Sequence, residues 1–288
     1  AEVARLRIGT PPSYEGVLTA IEGLFSQLVA EASDESEVTE RVTVGVGIPG
    51  TLSPTTGLVK NANSTRLNGR AFDDDLADRL GLPVRLMNDA NCFALSEATD
   101  GAGANASVVF GVILGTGTGG GVVVDGKALT GHQAIAGEWG HNPLPWPRGD
   151  ESPGPDCQCG RRGCLETFLS GPGMARDHEE VTGEALTSRD IVTRAAAGDA
   201  AATASYRRYV DRLARGLATV INVLDPDIVV LGGGLSNLPT LPQDVQGSLD
   251  PYVFTDQLST PVVRNVHGDS SGVRGAAWLW PVEPGRGM

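Results

Sequence analysis

The sequence predicts an α/β protein, because short apolar β-branched runs alternate with segments whose apolar residues recur at helical spacing. Two further observations agree. Gly and Pro punctuate the junctions between these segments, and glycine clusters directly follow two of the strand-like runs. No fixed-period repeat overlies this alternation.

The elements follow in order. Val17, Leu18, Ile21, Leu24, Phe25 and Leu28 keep helical spacing, so Ser13 to Ala32 is expected as an amphipathic helix. Val42 to Ile48 reads as a buried strand running into a Pro49-Gly50 turn. Asp73 to Leu80 is a short helix closed by Gly81, and Pro83 introduces the strand Val84 to Met87. Asn88-Asp89-Ala90-Asn91 stands at that strand's end, ahead of a helix from Cys92 to Ala98. Ser107 to Leu114 and Gly121 to Val124 are strands around the turn Gly115 to Gly120, and Asp125-Gly126 makes a hairpin turn. Pro143 to Asp156, with five prolines, is an irregular loop. A long helix carries Tyr206, Tyr209, Val210, Leu213, Leu217, Val220, Ile221 and Leu224 and stops at Asp225-Pro226. Ile228 to Leu231 is a strand opening onto Gly232 to Gly234, Val262 to Val266 is another, and Gly272 to Leu279 is a terminal helix.

The 288 residues predict about two domains with a sizeable core. With 22 Lys+Arg against 35 Asp+Glu the net charge is −13, which repels phosphate backbones and argues against nucleic acid as a partner. The uncharged stretch Gly101 to Val124 is too rich in Gly, Thr, Ser and Asn for a membrane helix, so no membrane partner is expected. Glu2, Arg5 and Arg7 occupy the place of a secretory h-region. The four cysteines, three of them within eight residues, are too few for a disulfide scaffold. A cytoplasmic protein is expected.

The sharpest chemical signal is Cys157, Cys159 and Cys164, with His141 upstream. One imidazole and three thiolates suit tetrahedral zinc, against the alternative of three reduced cysteines in a loop. Cys92 reads as a small buried hydrophobe. The glycines of Gly115 to Gly121 and Gly232 to Gly234 could admit phosphate or a nucleotide face to the backbone, or could simply make tight turns. Asp89, where a strand stops and a helix starts, could accept a proton from a substrate hydroxyl or cap the helix. Glu138 and Glu166 flank the Cys/His set, which would hold both rigidly for hydroxyl binding, or they are surface carboxylates.

Gly45-Val-Gly-Ile-Pro-Gly50, Asn88-Asp-Ala-Asn91, Leu114-Gly-Thr-Gly-Thr-Gly-Gly-Gly121, Gly137-Glu-Trp-Gly-His141, the cysteine cluster and Leu231-Gly-Gly-Gly234 together resemble the ROK family of bacterial sugar kinases and repressors. The resemblance covers nearly the whole chain. It implies a two-lobed actin/hexokinase-like (ribonuclease H-like) ATPase fold, with residues 1–106 plus 272–288 in an N-terminal lobe and 107–271 in a C-terminal lobe carrying the zinc loop. Asp89 matches the family's catalytic base. Asn88, Glu138, His141 and Glu166 match sugar-hydroxyl contacts, with Asn63 a weaker match, and His141, Cys157, Cys159 and Cys164 match zinc ligands. Gly115, Thr116, Gly117, Thr118 and Gly119 match a phosphate-binding loop, and Gly232, Gly233 and Gly234 an adenosine-binding turn. ATP, Mg²⁺ and Zn²⁺ are the implied cofactors, and a homodimer the implied assembly.

Within the family, Val59 to Thr65, Trp139 to Trp146 and His267 to Trp278 are most similar to bacterial fructokinases, then to N-acetylglucosamine kinases. Phosphorylation of fructose at the 6-hydroxyl is therefore expected first, with N-acetylglucosamine kinase or glucokinase activity as the alternative. A repressor would need a basic helix-turn-helix ahead of the kinase-like part, and a sugar-binding module without catalysis is the remaining alternative. The family also opens with a strand and an Asp-x-Gly-Gly-Thr phosphate loop. Ala1 to Gly50 contains no counterpart, so the first strands are expected to be missing and turnover to be low.

Overall fold

The computed structural model describes residues 4–35, 42–268 and 271–280. Residues 1–3, 36–41 and 281–288, which the sequence reading assigns to the first lobe, lie outside the described residues. Packing divides the chain into two units, Ala1–Asp89 with His132–Ala134 and Ala276–Met288, and Ala90–Gly131 with Ile135–Gly275.

The first unit contains α1 (Tyr14–Glu35), β1 (Val44–Ile48), β2 (Thr51–Leu52), β3 (Val59–Lys60), α2 (Phe72–Leu80) and β4 (Val84–Asn88). β1 and β4 pair in parallel from Val44↔Val84 to Ile48↔Asn88, so both strands finish at the same edge. β2 and β3 form a small antiparallel ribbon. The core joins Leu18 of α1 and Ile48 of β1 to Phe72 and Leu76 of α2. Three aspartates in the first turn of α2 complement the helix dipole, and Gly81 ends it in the left-handed region at φ 64°.

The second unit begins with α3 (Asp89–Asp100), then β5 (Val108–Leu114), β6 (Thr118–Val124) and β7 (Lys127–Ala128). The helices α4 (Glu166–Leu169), α5 (Gly171–Thr182), α6 (Ser188–Ala196) and α7 (Ala200–Leu224) follow. β8 (Ile228–Gly232), α8 (Leu241–Gln246), β9 (Val262–Arg264) and α9 (Ser271–Ala277) complete the described chain. The sheet order is β7-β6-β5-β8-β9, with β5 antiparallel to β6 and parallel to β8. Asp125 and Gly126, at φ 49° and 72°, make the expected tight hairpin turn. One face of α7, with Leu213, Ala214 and Leu217 fully buried, shares a core with Phe110, Val112, Val229 and Leu231 of the sheet.

Several boundaries differ from the expectation, for physical reasons. α3 starts at Asp89 rather than Cys92, because every residue from Ala90 to Ala98 is buried and there is no polar face to mark its limits. It lies against β5 and β6, with Gly111 beside Ala94 and Gly121 beside Ala90, so the packing division falls at Asp89/Ala90 and the sequence boundary at 106/107. β6 begins at Thr118 instead of Gly121, since Leu114↔Thr118 and Ile113↔Gly119 already pair. The sequence reading assigns no helix to α4, α5, α6 or α8. Their apolar faces are short, although Ser170 accepting from Gly173 N–H and Pro172 in the first turn make a helix start that could have been read for α5.

Candidate active site

In the first unit the candidates gather at the carboxyl edge of the β1–β4 pair, where α/β proteins place ligands. The turn Pro49-Gly50 ends β1 and organises them. Asn63 N–H donates to the Pro49 carbonyl at 3.1 Å, and the Asn88 amide donates to the Gly50 carbonyl at 3.3 Å. Asp89 follows Asn88, exposed at the junction of strand and helix. Asn63, Asn88 and Asp89 are thus brought together.

In the second unit Glu138 precedes a 3₁₀ turn, Trp139–His141. Trp139 is buried edge-on against Phe110 and donates its indole N–H to the Gly119 carbonyl at 2.9 Å, so β6 sets the position of Glu138 and His141. Glu166 opens α4 and accepts from Thr118 N–H at 3.1 Å and from the Gln158 side-chain amide at 3.0 Å. Glu138, His141 and Glu166 therefore all refer to the start of β6.

The ligand atoms of His141, Cys157, Cys159 and Cys164 lie within 4.8 Å of one another. Cys159 Sγ stands 3.6 Å from Cys164 Sγ, and Cys157 Sγ stands 3.6 Å from His141 Nδ1. A disulfide needs about 2.05 Å, whereas Zn–S bonds of about 2.3 Å in a tetrahedron give edges of about 3.7 Å. The residues fit zinc. Burial, reinforced by the neighbouring thiols, pushes the Cys164 thiol up to about 12. Burial raises Cys157 as well, while on Cys159 it is outweighed by the Arg161 backbone N–H and the adjacent sulfurs, so that thiol sits lower. Three thiolates this close repel one another, and a divalent cation removes that cost. His141 turns Nδ1 to the sulfurs, which leaves Nε2 on the opposite edge of the ring.

A cavity of about 1090 Å³ lies in the second unit, large enough for a nucleotide. Gly115 and Thr116 form one side, Gly234 and Leu235 another, and Ala175 of α5 with Val192 of α6 an apolar wall. The two glycine clusters therefore meet, but not every member reaches the cavity. Thr118 and Gly119 are strand residues of β6, and Gly119 gives room to Ala90 of α3. Gly232 ends β8 against Phe93. Gly233, at φ 81°, passes so close to Leu114 that a Cβ would sit 2.5 Å from its carbonyl oxygen. Gly115, Thr116 and Gly234 are the predicted residues that line the space.

The ROK family profile matches residues 6–283. The chain belongs to the ROK family. Among ROK relatives, the N-acetyl-D-glucosamine kinase of Pasteurella multocida (strain Pm70) is 41% identical over 281 residues, 95% of this chain and 90% of the relative. That of Shigella boydii serotype 4 (strain Sb227) is 40% identical over 278 residues, with the same coverage. The crystal structure of a ROK hexokinase from Thermus thermophilus superposes with a TM-score of 0.80 at 30% identity, covering 94% of this chain and 87% of that one. A ROK glucokinase from Streptomyces griseus, solved with glucose and AMPPNP, gives 0.75 at 28% identity, covering 94% and 89%. The α/β fold expected from the sequence is the fold of these ROK kinases, and the chain is a ROK sugar kinase by descent. The fructokinase-like segments are corrected on this point: the curated relatives named above are N-acetyl-D-glucosamine kinases. The residues of this ROK protein that sequence reasoning missed are the α5–α6 wall of the cavity and Gln158, an exposed polar residue with no periodic signature.

Proposed function

We propose that this ROK protein transfers a phosphoryl group from ATP to the 6-hydroxyl of N-acetyl-D-glucosamine. The observation that carries the reading is the Thr118 N–H···Glu166 contact at 3.1 Å. It joins a carboxylate suited to sugar hydroxyls to the Gly115–Gly117 turn, whose Gly115 and Thr116 line the nucleotide-sized cavity. The choice of acceptor rests on the 41% identical relative.

Asp89 accepts the proton of the acceptor hydroxyl, and its place at the end of β4 aims it beyond the sheet edge. Asn63, Asn88, Glu138 and Glu166 hold sugar hydroxyls, as does His141 through Nε2. The cavity between Gly115 and Gly234 takes adenosine. His141 Nδ1 and the three sulfurs hold zinc, which would keep rigid the loop leading into Glu166. Mg²⁺ bound with ATP supplies charge neutralisation, and the protein's share is positioning.

The proposal extends to a cytoplasmic homodimer, which light scattering would register at twice 29.8 kDa. Among the described residues no helix is long and apolar enough to cross a membrane.

A coupled ATP-consumption assay across N-acetyl-D-glucosamine, glucose, mannose and fructose tests the acceptor. The expected result is a kcat/KM for N-acetyl-D-glucosamine at least about tenfold above fructose, or roughly 1.4 kcal/mol of discrimination. A tenfold preference for fructose would restore the first expectation from the sequence.

A further inference from the structure

Gln158 stands between two candidate zinc ligands, Cys157 and Cys159. Its backbone is fixed by a tight turn in which Gly160 N–H donates to the Cys157 carbonyl at 2.9 Å and Cys157 N–H to the Arg161 carbonyl at 2.8 Å. From there its side chain reaches across to Glu166 Oε1 at 3.0 Å. The second oxygen, Oε2, is held by Thr118 N–H at 3.1 Å. A Cβ on residue 117 would come within 2.6 Å of Oε2, so Gly117 keeps this seat open. Both oxygens of one partly buried carboxylate are thus oriented from two different elements.

We propose that Gln158 is a positioning residue that sets the rotamer of Glu166 and makes sugar affinity depend on the order of the cysteine loop. The proposal rests on the reading of Glu166 as a sugar-binding carboxylate. A free glutamate loses side-chain freedom when a sugar orders it, and one already held between Gln158 and Thr118 has lost it in advance. The carboxamide directs Oε1 without neutralising the charge, so lone pairs remain for hydroxyl donors. A hydrogen bond onto a carboxylate is among the stronger neutral-donor contacts, and its removal should weaken sugar binding by about tenfold.

Calorimetric titration with N-acetyl-D-glucosamine, alongside steady-state kinetics, tests this on four proteins. These are the unaltered chain, Gln158→Met, Gln158→Lys and Glu166→Gln. Gln158→Met keeps the length without the donor, and it should raise Kd and KM about tenfold with zinc content and melting temperature unchanged. The loss should fall on KM and not on kcat. Gln158→Lys restores a donor to Oε1 but pairs the charge that Gln158 leaves free, so it should recover only part of the affinity lost in Gln158→Met. The proposal is overturned if Gln158→Met binds as tightly as the unaltered chain. It is overturned equally if sugar affinity falls only together with zinc content and melting temperature, since Gln158 would then be structural. Weak binding by Glu166→Gln beside normal binding by Gln158→Met defeats the Gln158 role alone. Normal binding by Glu166→Gln defeats the underlying reading of Glu166, and the proposal with it.

Discussion

Asp89 is the residue on which turnover is expected to hinge, and its position supports a sharp test. It is exposed, begins α3 and follows β4, so a carboxylate there can serve chemistry or the helix N-terminus. Asp89→Asn preserves shape and capping capacity but removes the base. We expect kcat to fall by about 10²–10⁴ while circular dichroism and sugar affinity stay near those of the parent. Near-normal turnover with lowered stability would identify a cap instead. Cys159→Ser is the second residue-scale prediction. Metal analysis should fall from one zinc per chain to a trace, and the melting temperature should drop, because structural zinc contributes folding free energy directly. Retention of one zinc by the variant would refute the ligand set. In the sequence the strand-to-helix junction leaves Asp89 as either base or cap and only the family resemblance favours the base, whereas the spacing of Cys159 by itself points to a metal. Gln158 was not legible there, since its partner is fixed only when the loop folds back on α4.

At the scale of elements, α7 holds the proline-rich loop by charge as well as by packing. Arg215, 1% exposed, binds Glu151 and the carbonyls of Pro145 and Trp146, and Arg212 binds Glu151 and Asp177. Burial pushes the Glu151 carboxyl up, but hydrogen bonds from Arg215 and Arg212 outweigh it and hold it at about 2, against 4.5 for a free glutamate. A depressed carboxylate pKa stabilises the fold above the free value. That stability should be fully present above about pH 4.5 and be lost as pH falls toward 2. Glu151→Gln should remove this acid-side dependence and leave two buried guanidinium groups short of a partner. The expected cost is about 3 kcal/mol, a fall of roughly 6–10 °C in melting temperature by calorimetry. A change under about 0.5 kcal/mol would show the network to be neutral. The sequence shows only arginines and acids at helical spacing, which looks the same as a solvated face until the loop covers it.

For the whole molecule, the proposed function puts nucleotide and sugar on separate groups of residues, and this separation can be tested by filling one of them. Ala175 of α5 faces the cavity of about 1090 Å³ beside Gly115 and Gly234. Ala175→Trp should raise the KM for ATP about tenfold or more, because the added ring occupies the cavity, while calorimetry should find sugar affinity within about twofold of the parent. Equal losses for both ligands would mean that the cavity is not the nucleotide site. The two strand-end glycine clusters hinted at this space, but its other wall belongs to α5 and α6, helices too short and polar for their apolar faces to stand out in the chain.

What the sequence determined by itself was whatever a local pattern can encode. Strand and helix alternation, the long α7, the hairpin turn at Asp125-Gly126 and the close spacing of the three cysteines depend on neighbours within a turn or a strand. Only the tertiary structure decided which glycines face the cavity and which let α3 pack on β5 and β6. It alone joined Gln158, Glu166 and Thr118, and buried Arg215 against Glu151. Such contacts link residues beyond a single turn or strand, and their energy depends on burial and orientation that no residue carries until its partners arrive.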